Sequence, residues 1–344
     1  ANVIASQTEA SIGRGAKINE SNGAAGTEQQ VRVKAVDETL LINTAGAGAG
    51  GSSAGVGASA NVGVVSKTTS AWIGQSATVN ARDAVELDAA SSSLTFSTTA
   101  GFAGGGSAGV GGSVAGVGLA NTTAAYIEDA TSSADAARVN VSEGNLTLNA
   151  SDIATSSMLT GAGAGGGAAG VGGSLSVGVN ASTTKAKIGD YAETNAAGDT
   201  TVHADSTENV NAITVAGAGG GSAGVSGTIG INVVVSKTEA AIGDHAKINQ
   251  GFAGQNVDVE AIDRIITVGA SGAGAGGGAA GVGGTANVTV ALNTTSAYIG
   301  NGANVDAVKD VVVAASSDKY VNSAVVAGAG GGAAGVAGAV SILS

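Results

Sequence analysis

The stretch Gly161-Ala-Gly-Ala-Gly-Gly-Gly-Ala-Ala-Gly-Val171 is almost free of side-chain bulk, and similar stretches occur six times along the chain. Each copy ends in Ala-Gly-Val. A helix is a poor conformation for such a stretch, because each glycine costs roughly 1 kcal/mol relative to alanine in a helix interior. The recurrence indicates tandem repeats built on extended backbone that approaches a neighbouring strand unusually closely. The closing valines are Val56, Val110, Val171, Val225, Val282 and Val336.

Two further residue types recur in step with these valines. One is an isoleucine that is usually followed by glycine: Ile12, Ile73, Ile127, Ile188, Ile242 and Ile299. The other is an alanine that closes an alternating apolar pattern: Ala35, Ala89, Ala150, Ala204, Ala261 and Ala315. The gap from alanine to valine is always 21 residues and that from valine to isoleucine is always 17. Only the gap from isoleucine to alanine varies, from 16 to 23 residues.

Constant spacing predicts packed strands, because a slip of one residue would turn every side chain to the wrong face of a sheet. The variable segment predicts loops on one edge of the stack, such as 19–30 and 131–138. The shortest repeat is 54 residues, and its three comparable arms predict three coils of about 18 residues each. Two wider coils of about 27 residues are the alternative. With three coils per repeat and about 4.8 Å per coil, six repeats would form a rod about 85 Å long.

Period-two alternation identifies the strands as half-buried. Val31–Ala35, Val85–Ala89, Leu146–Ala150 and Val257–Ala261 place apolar residues on one face and polar residues on the other. The fold class is therefore all-β, a parallel β-helix (β-solenoid) of six repeats. An asparagine or aspartate also recurs beyond each isoleucine, and stacked asparagines hydrogen-bond one another at the turns of stacked β structures. These residues are Asn19, Asn80, Asn140, Asn195, Asn249 and Asp306.

Composition excludes several function classes. The 344 residues include 60 glycines, no proline, no cysteine and only eight aromatic residues, which is too few for the core of a compact enzyme of this size. Disorder is also excluded, because 43% of the residues are hydrophobic. The formal charge of −12 is spread without basic patches and argues against nucleic acid as a partner.

The Gly/Ala stretches have other interpretations. Segment 98–126 carries no charge and is long enough to span a membrane, but glycine adds little apolar area and the stretches lead directly into alternating strands. We therefore expect no membrane-spanning segment. No Gly-x-x-x-x-Gly-Lys-Ser/Thr motif supports a phosphate-binding loop. The stacked small residues form a smooth stripe that lies either inside the solenoid or against a neighbouring fibre, and we favour the interior.

No constellation of residues indicates catalysis, a cofactor or a metal. His203 shares an outward strand position with Lys34 and Asp88, and His245 falls in a turn position with Gly15 and Ser76, so neither position repeats a ligand. Trp72, Tyr126 and Tyr298 share one position of the repeat and cover its edge, with a sparse aromatic contact strip as the alternative. We predict no catalytic, cofactor-binding or metal-binding residues.

The repeat nevertheless resembles a known family. The segments Ala216-Gly-Ala-Gly-Gly-Gly-Ser-Ala-Gly-Val225, Ser236-Lys-Thr-Glu-Ala-Ala-Ile-Gly-Asp244 and Val257-Asp-Val-Glu-Ala261 resemble the tandem repeats of leukotoxin-type filamentous adhesins of anaerobic bacteria. Those proteins are relatives of the filamentous haemagglutinins exported by two-partner secretion. The resemblance covers the whole chain and implies a right-handed parallel β-helix on the cell surface, with adhesion as its role.

These observations predict that residues 1–344 form a single β-solenoid region, an internal fragment of a longer chain or filament. We expect an extracellular stalk on the bacterial surface that is not an enzyme. A self-assembling extracellular filament or matrix fibre is the alternative, and a polysaccharide-degrading enzyme is a distant third. The chain begins and ends near one phase of the repeat, which favours end-to-end self-association; lateral association and a receptor on a host or neighbouring cell are further expected partners.

Overall fold

The computed structural model describes residues 1–21, 25–250 and 254–344. These residues form β-strands, turns and loops without any helix, and the strands lie in three parallel sheets. Sheet A contains β1 (Asn2–Ile12), β4 (Ala54–Ile73), β7 (Ala108–Ile127), β10 (Ala169–Ile188), β13 (Ala223–Ile242), β16 (Ala280–Ile299) and β19 (Ala334–Leu343). Sheet B contains β2 (Lys17–Ile18), β5 (Thr78–Ala81), β8 (Arg138–Val141), β11 (Glu193–Ala196), β14 (Lys247–Ile248) and β17 (Asn304–Val305). Sheet C contains β3 (Gln30–Gly51), β6 (Ala84–Gly105), β9 (Asn145–Gly166), β12 (Thr200–Gly220), β15 (Val257–Gly277) and β18 (Val311–Gly331).

The predicted parallel β-solenoid of tandem repeats is confirmed. Each strand pairs with the corresponding strand of the next repeat, so that Val56 lies beside Val110, and Val171 lies beside both Val110 and Val225. The expected strands, such as Leu146–Ala150, place their apolar side chains inside. This stacking is consistent with the right-handed form that the family resemblance implies.

The prediction of three coils per repeat is wrong, and so is the alternative of two. Each repeat forms one coil, because residues 54 to 61 positions apart are direct neighbours in the sheets. At about 4.8 Å per coil, the seven strands of sheet A rise only about 29 Å, not 85 Å. Strands of 20 to 22 residues are about 70 Å long, so the stack is broader than it is tall.

The error has a physical cause in the glycines. Each coil is a narrow wedge whose two long sides, from sheets A and C, converge towards a tip. A Cβ atom added to Gly55 would lie 2.2 Å from the carbonyl oxygen of Gly104, and one added to Gly111 would lie 2.1 Å from that of Gly163. Glycine therefore lets two opposed strands of one coil lie backbone against backbone. The favoured interpretation, that the Gly/Ala stripe faces the interior, is confirmed for Gly55 and Gly111, whereas Gly104 at an alternate position of the stripe faces outwards.

The broad end of the wedge holds the apolar core. Sheet B closes this end, and its side chains pack with the adjoining ends of sheets A and C. Ile73, Val79 and Leu87 come from the three sheets of one coil and are fully buried. The same three positions repeat in the coils above and below, so the core is one continuous column.

The predicted asparagine ladder runs beside this core. The Asn140 side-chain amide donates to Asn80 Oδ1 at 3.1 Å, and that of Asn195 donates to Asn140 Oδ1 at 3.0 Å. Asn19 donates instead to the backbone oxygen of Asn80. One variable segment lies at this end, as predicted, because residues 128–137 form a loop between β7 and β8. The predicted loop at 19–30 includes residues 22–24, which lie outside the described residues.

Candidate functional site

Between the apolar core and the glycine tip, the interior of the wedge is polar. A complete threonine column lines sheet A in this zone: Thr8, Thr69, Thr123, Thr184, Thr238 and Thr295. On sheet C, aspartate and serine alternate from coil to coil along the facing column: Asp37, Ser91, Asp152, Ser206, Asp263 and Ser317. Charged residues inside a sheet stack require partners, so this zone is the first candidate site.

The one fully buried lysine of the described residues neutralises the first aspartate. Lys67 Nζ lies 2.8 Å from Asp37 Oδ1 and also donates to the backbone oxygens of Asp37 and Ser92. Burial would raise the pKa of Asp37, but hydrogen bonds from Lys67, Ser6 and Thr8 outweigh it, so the pKa lies below the ordinary value. Asp37 and Lys67 therefore form an ionised pair that holds sheets A and C together.

Asp152 lies two coils further along, and no lysine or arginine of the described residues forms an ion pair with it. Its carboxylate accepts hydrogen bonds from the Asn121 amide at 3.1 Å and from the Ser182 hydroxyl at 3.0 Å. Burial raises the pKa of Asp152 above its ordinary value despite these hydrogen bonds.

Glu208 and Asp263 share one serine between adjacent coils. Ser236 Oγ lies 3.1 Å from Glu208 Oε1 and 2.9 Å from Asp263 Oδ1, yet a hydroxyl carries a single hydrogen to donate. Burial, together with the charges of Asp263 and Asp152, raises the pKa of Glu208 to about 8. A proton on Glu208 allows Ser236 to accept from one carboxyl group and donate to the other. Glu208 Oε2 is buried with no hydrogen-bond partner among the described residues.

These buried carboxyl groups cannot act on a polymer. Asp152, Glu208 and Asp263 are at most 1% exposed, and both long sheets separate them from solvent. General acid catalysis requires contact with the bond that breaks. The polar layer therefore serves the fold by linking sheets A and C across the interior.

The second candidate is an open depression of about 450 Å³ on the outside, near the broad end. Tyr126 forms one wall, and its ring stacks on Trp72 of the previous coil with centroids 6.2 Å apart. The charged residues around it are Arg14, Glu128, Asp129, Lys185 and Lys187.

Ion pairs fix the charges of this depression. The hydrogen bonds from Arg14, whose Nε lies 2.8 Å from Glu128 Oε2, hold the pKa of Glu128 below its ordinary value. Burial would lower the pKa of Lys187, but its contacts with Asp129 at 2.6 Å and Asp190 at 2.9 Å raise it. A glycoside hydrolase needs a carboxylic acid whose pKa is raised. The depression can bind polar groups, but its carboxylates are poor proton donors.

The structure places the histidines and aromatic residues largely as the sequence predicted. His203 points outwards, and its Nδ1 lies 3.5 Å from Glu260 Oε2. His245 is in a turn with φ of 57° and stacks on Tyr191, whose φ of 60° is similar. Tyr298 lies apart from the stacked Trp72 and Tyr126 and donates to Glu239 at 3.2 Å. Within the described ranges, no group of three or more His, Cys, Asp or Glu side chains could hold a metal ion.

The third candidate is an apolar outer surface on sheet A. We define the valine face as the outward positions from Ala54 to Ser66 on β4, together with their register partners on β7, β10, β13, β16 and β19. Ser66 is the only polar residue at these positions, all of which are described. The six closing valines lie here and are 42% to 67% exposed. The inward positions behind them carry polar residues such as Ser174, Asn232 and Thr285.

Comparisons with known proteins add no relative. A scan against protein-family models found no match, and no curated protein or solved structure matches this chain. In the described part of the chain, no helix is both long and apolar enough to cross a membrane. The fold and the surfaces above define the class of the protein, which is a parallel β-solenoid with one coil per repeat.

Sequence reasoning missed the buried acidic layer and the valine face. The alternation of Asp and Ser from Asp37 to Ser317 can be read from the sequence once the coil is known to be one repeat long. The valine face can be read in the same way, because each Ala-Gly-Val segment places its valine at one position of the repeat. The outward direction could not be read from alternation, because the inward positions of these strands carry polar residues such as Ser174 and Asn232 and the outward positions carry the valines.

Proposed function

We propose that this chain is a structural segment of a bacterial cell-surface adhesin of the filamentous type, and that it is not an enzyme. The observation that carries the proposal is the common register of all coils. The three sheets run through the whole stack, and the apolar core continues from coil to coil at the same positions of the repeat. Such a stack extends by adding repeats, which is the property that a surface scaffold needs.

One coil per repeat changes the proportions of the proposed stalk. Each repeat of 54 to 61 residues adds only about 4.8 Å in height but carries strands about 70 Å long. The segment therefore adds width and stiffness to a surface structure, and adds little to its length. It supports adhesion by presenting wide, regular faces outside the cell.

The second candidate is a self-assembling extracellular fibre. Because the coils share the register of their long strands, the strand edges of one coil match those of another, and unpaired edges are templates for pairing. Fibres that lengthen with concentration would favour this candidate over a stalk.

The proposal is tested on cells of the source bacterium. Antibodies raised against residues 1–344 should label intact cells, and their Fab fragments should reduce attachment to host cells or neighbouring bacteria. Fab fragments against an unrelated surface protein are the control. Absence of surface labelling would contradict the proposal. Release of reducing ends from a panel of polysaccharides by the purified chain would instead assign it an enzymatic role.

A further inference from the structure

The valine face has no explanation within the fold. The side chains that fill the wedge come from the inward positions, and the valines of β7, β10, β13 and β16 point the other way. Val110, Val171, Val225 and Val282 remain 42% to 43% exposed although coils flank them on both sides. A half-solvated sheet normally carries polar residues on its outer face.

The charged residues of sheet A avoid this face. On the same strands, the outward lysines and glutamates begin only at Lys185 on β10 and at Lys237 and Glu239 on β13, beyond the end of the valine face. The valine face is therefore free of charged side chains.

The valine face is also large enough to hold a partner. Thirteen residues along each of β4, β7, β10, β13 and β16 extend over about 40 Å, and β19 contributes ten residues. The six strands extend over about 24 Å, which gives roughly 900 Å². A stable protein–protein interface needs about 800 Å² from each partner. Exposed apolar patches of more than a few hundred Å² mark interaction sites.

The surface shape of the valine face allows two copies of it to interlock. The column of closing valines forms a ridge, and the next outward column is a groove of Ala58, Gly112, Gly173, Gly227, Gly284 and Gly338. The fold does not require glycine there: a Cβ at Gly284 or Gly338 would meet no atom within 4 Å, and one at Gly173 would meet only a carbonyl oxygen at 3.9 Å. Successive residues are about 4.8 Å apart both along the valine ridge and along the glycine groove. The ridge of one copy can therefore pack into the groove of another.

We propose that two copies of this chain pack face to face through the valine face, in a closed pair related by a two-fold axis. A two-fold interface uses the same surface on both copies, which the ridge and groove allow. It buries the apolar columns between two sheets, as in a β-sandwich. The pair is distinct from end-to-end stacking, which uses strand edges and continues without closure.

Sedimentation velocity over a concentration series tests the proposal. The wild-type chain should form a dimer, and Val171→Lys/Ile229→Lys should be monomeric over the same range. The control is Thr183→Lys/Thr294→Lys, which adds the same charge at outward positions that flank Lys237 on sheet A but lie outside the valine face. The control should remain dimeric. Thermal melts by circular dichroism should show that both variants fold.

A milder variant keeps the test valid if the lysines impair folding. Val171→Thr/Val225→Thr/Val282→Thr preserves the branched shape of three ridge residues and should raise the dimer dissociation constant at least tenfold. A wild-type chain that stays monomeric at every concentration would overturn the proposal, as would a dimer that both variants leave unchanged. Co-sedimentation of a monomeric chain with phosphatidylcholine vesicles would also overturn it, and would assign the valine face to lipid. None of these results bears on surface labelling of cells, so this test and that of the proposed function fail separately.

Discussion

Replacing Glu208 by glutamine should remove a specific dependence of stability on pH. Glu208 is buried, and its pKa is raised from 4.5 to about 8 by burial and by the charges of Asp263 and Asp152. The folded state therefore keeps a proton on this group that the unfolded chain releases above about pH 4.5. The stability that depends on this proton is full below about pH 4.5 and is lost as the pH rises through about 8.

The magnitude follows from the two pKa values. At about 1.4 kcal/mol per pKa unit, the interval from 4.5 to about 8 corresponds to a loss of up to about 5 kcal/mol in the free energy of unfolding. Glutamine has nearly the same shape and cannot ionise, and its amide can donate to Ser236 as the protonated acid does. The variant should therefore match the wild type near pH 4.5 and be more stable than the wild type near pH 9.

Urea denaturation at a series of pH values measures this effect as the difference between the two curves. The control is Glu193→Gln, since Glu193 is paired with Lys247 at 2.9 Å on the outside and its pKa is lowered by that hydrogen bond. The control should show no gain in stability at high pH. A constant difference between Glu208→Gln and the wild type from pH 4.5 to 9 would refute the assignment of a buried proton to Glu208.

Three further variants test the packing of the stack. Gly220→Val should destabilise the chain by more than about 3 kcal/mol, because its Cβ would lie 2.1 Å from the carbonyl oxygen of Ala223. A Cβ at Gly219 would meet no atom within 4 Å, so Gly219→Val should change the melting temperature little. Deleting residues 131–136 shortens the loop between β7 and β8 to the four residues found in other coils and should cost under about 1 kcal/mol. Deleting Ser176 alone inverts the facing of β10 and should disrupt it, and equal melting temperatures for the two deletions would contradict the register. Asn195→Ala should lower the free energy of unfolding, measured by urea denaturation, by about 1–2 kcal/mol, because it leaves Asn140 Oδ1 without its donor. As a control, Asn211→Ala at an exposed position should have no measurable effect.

The sequence predicted the fold class because the repeat constrains register directly. Constant spacing from Ala89 to Val110 and from Val110 to Ile127 requires strands that cannot slip, and variable spacing after Ile127 requires a loop. Both expectations are confirmed by the strands and by the loop at residues 128–137. Steric reasoning predicted the inward glycines, such as Gly55 and Gly111, but not that alternate glycines of the same stripe, such as Gly104, face outwards.

The coil length and the buried charges were not predicted, for a shared reason. Landmarks about 18 residues apart on three arms match three small coils as well as three segments of one large coil. The sequence does not state that two opposed strands touch, as Gly55 and Gly104 do. Without that contact, Asp37 and Lys67 could not be placed on facing sheets, and their pairing across the interior stayed hidden.

The distance between labels at Gln7 and Thr294 tests the central claim, one coil per repeat, most directly. Both residues lie outwards in one column of sheet A, five coils apart, and the chain has no cysteine of its own. Spin labels on Gln7→Cys/Thr294→Cys should give a double electron–electron resonance distance of about 24 Å, at 4.8 Å per coil. Three coils per repeat would place the labels about 72 Å apart, and a distance near that value would contradict the account.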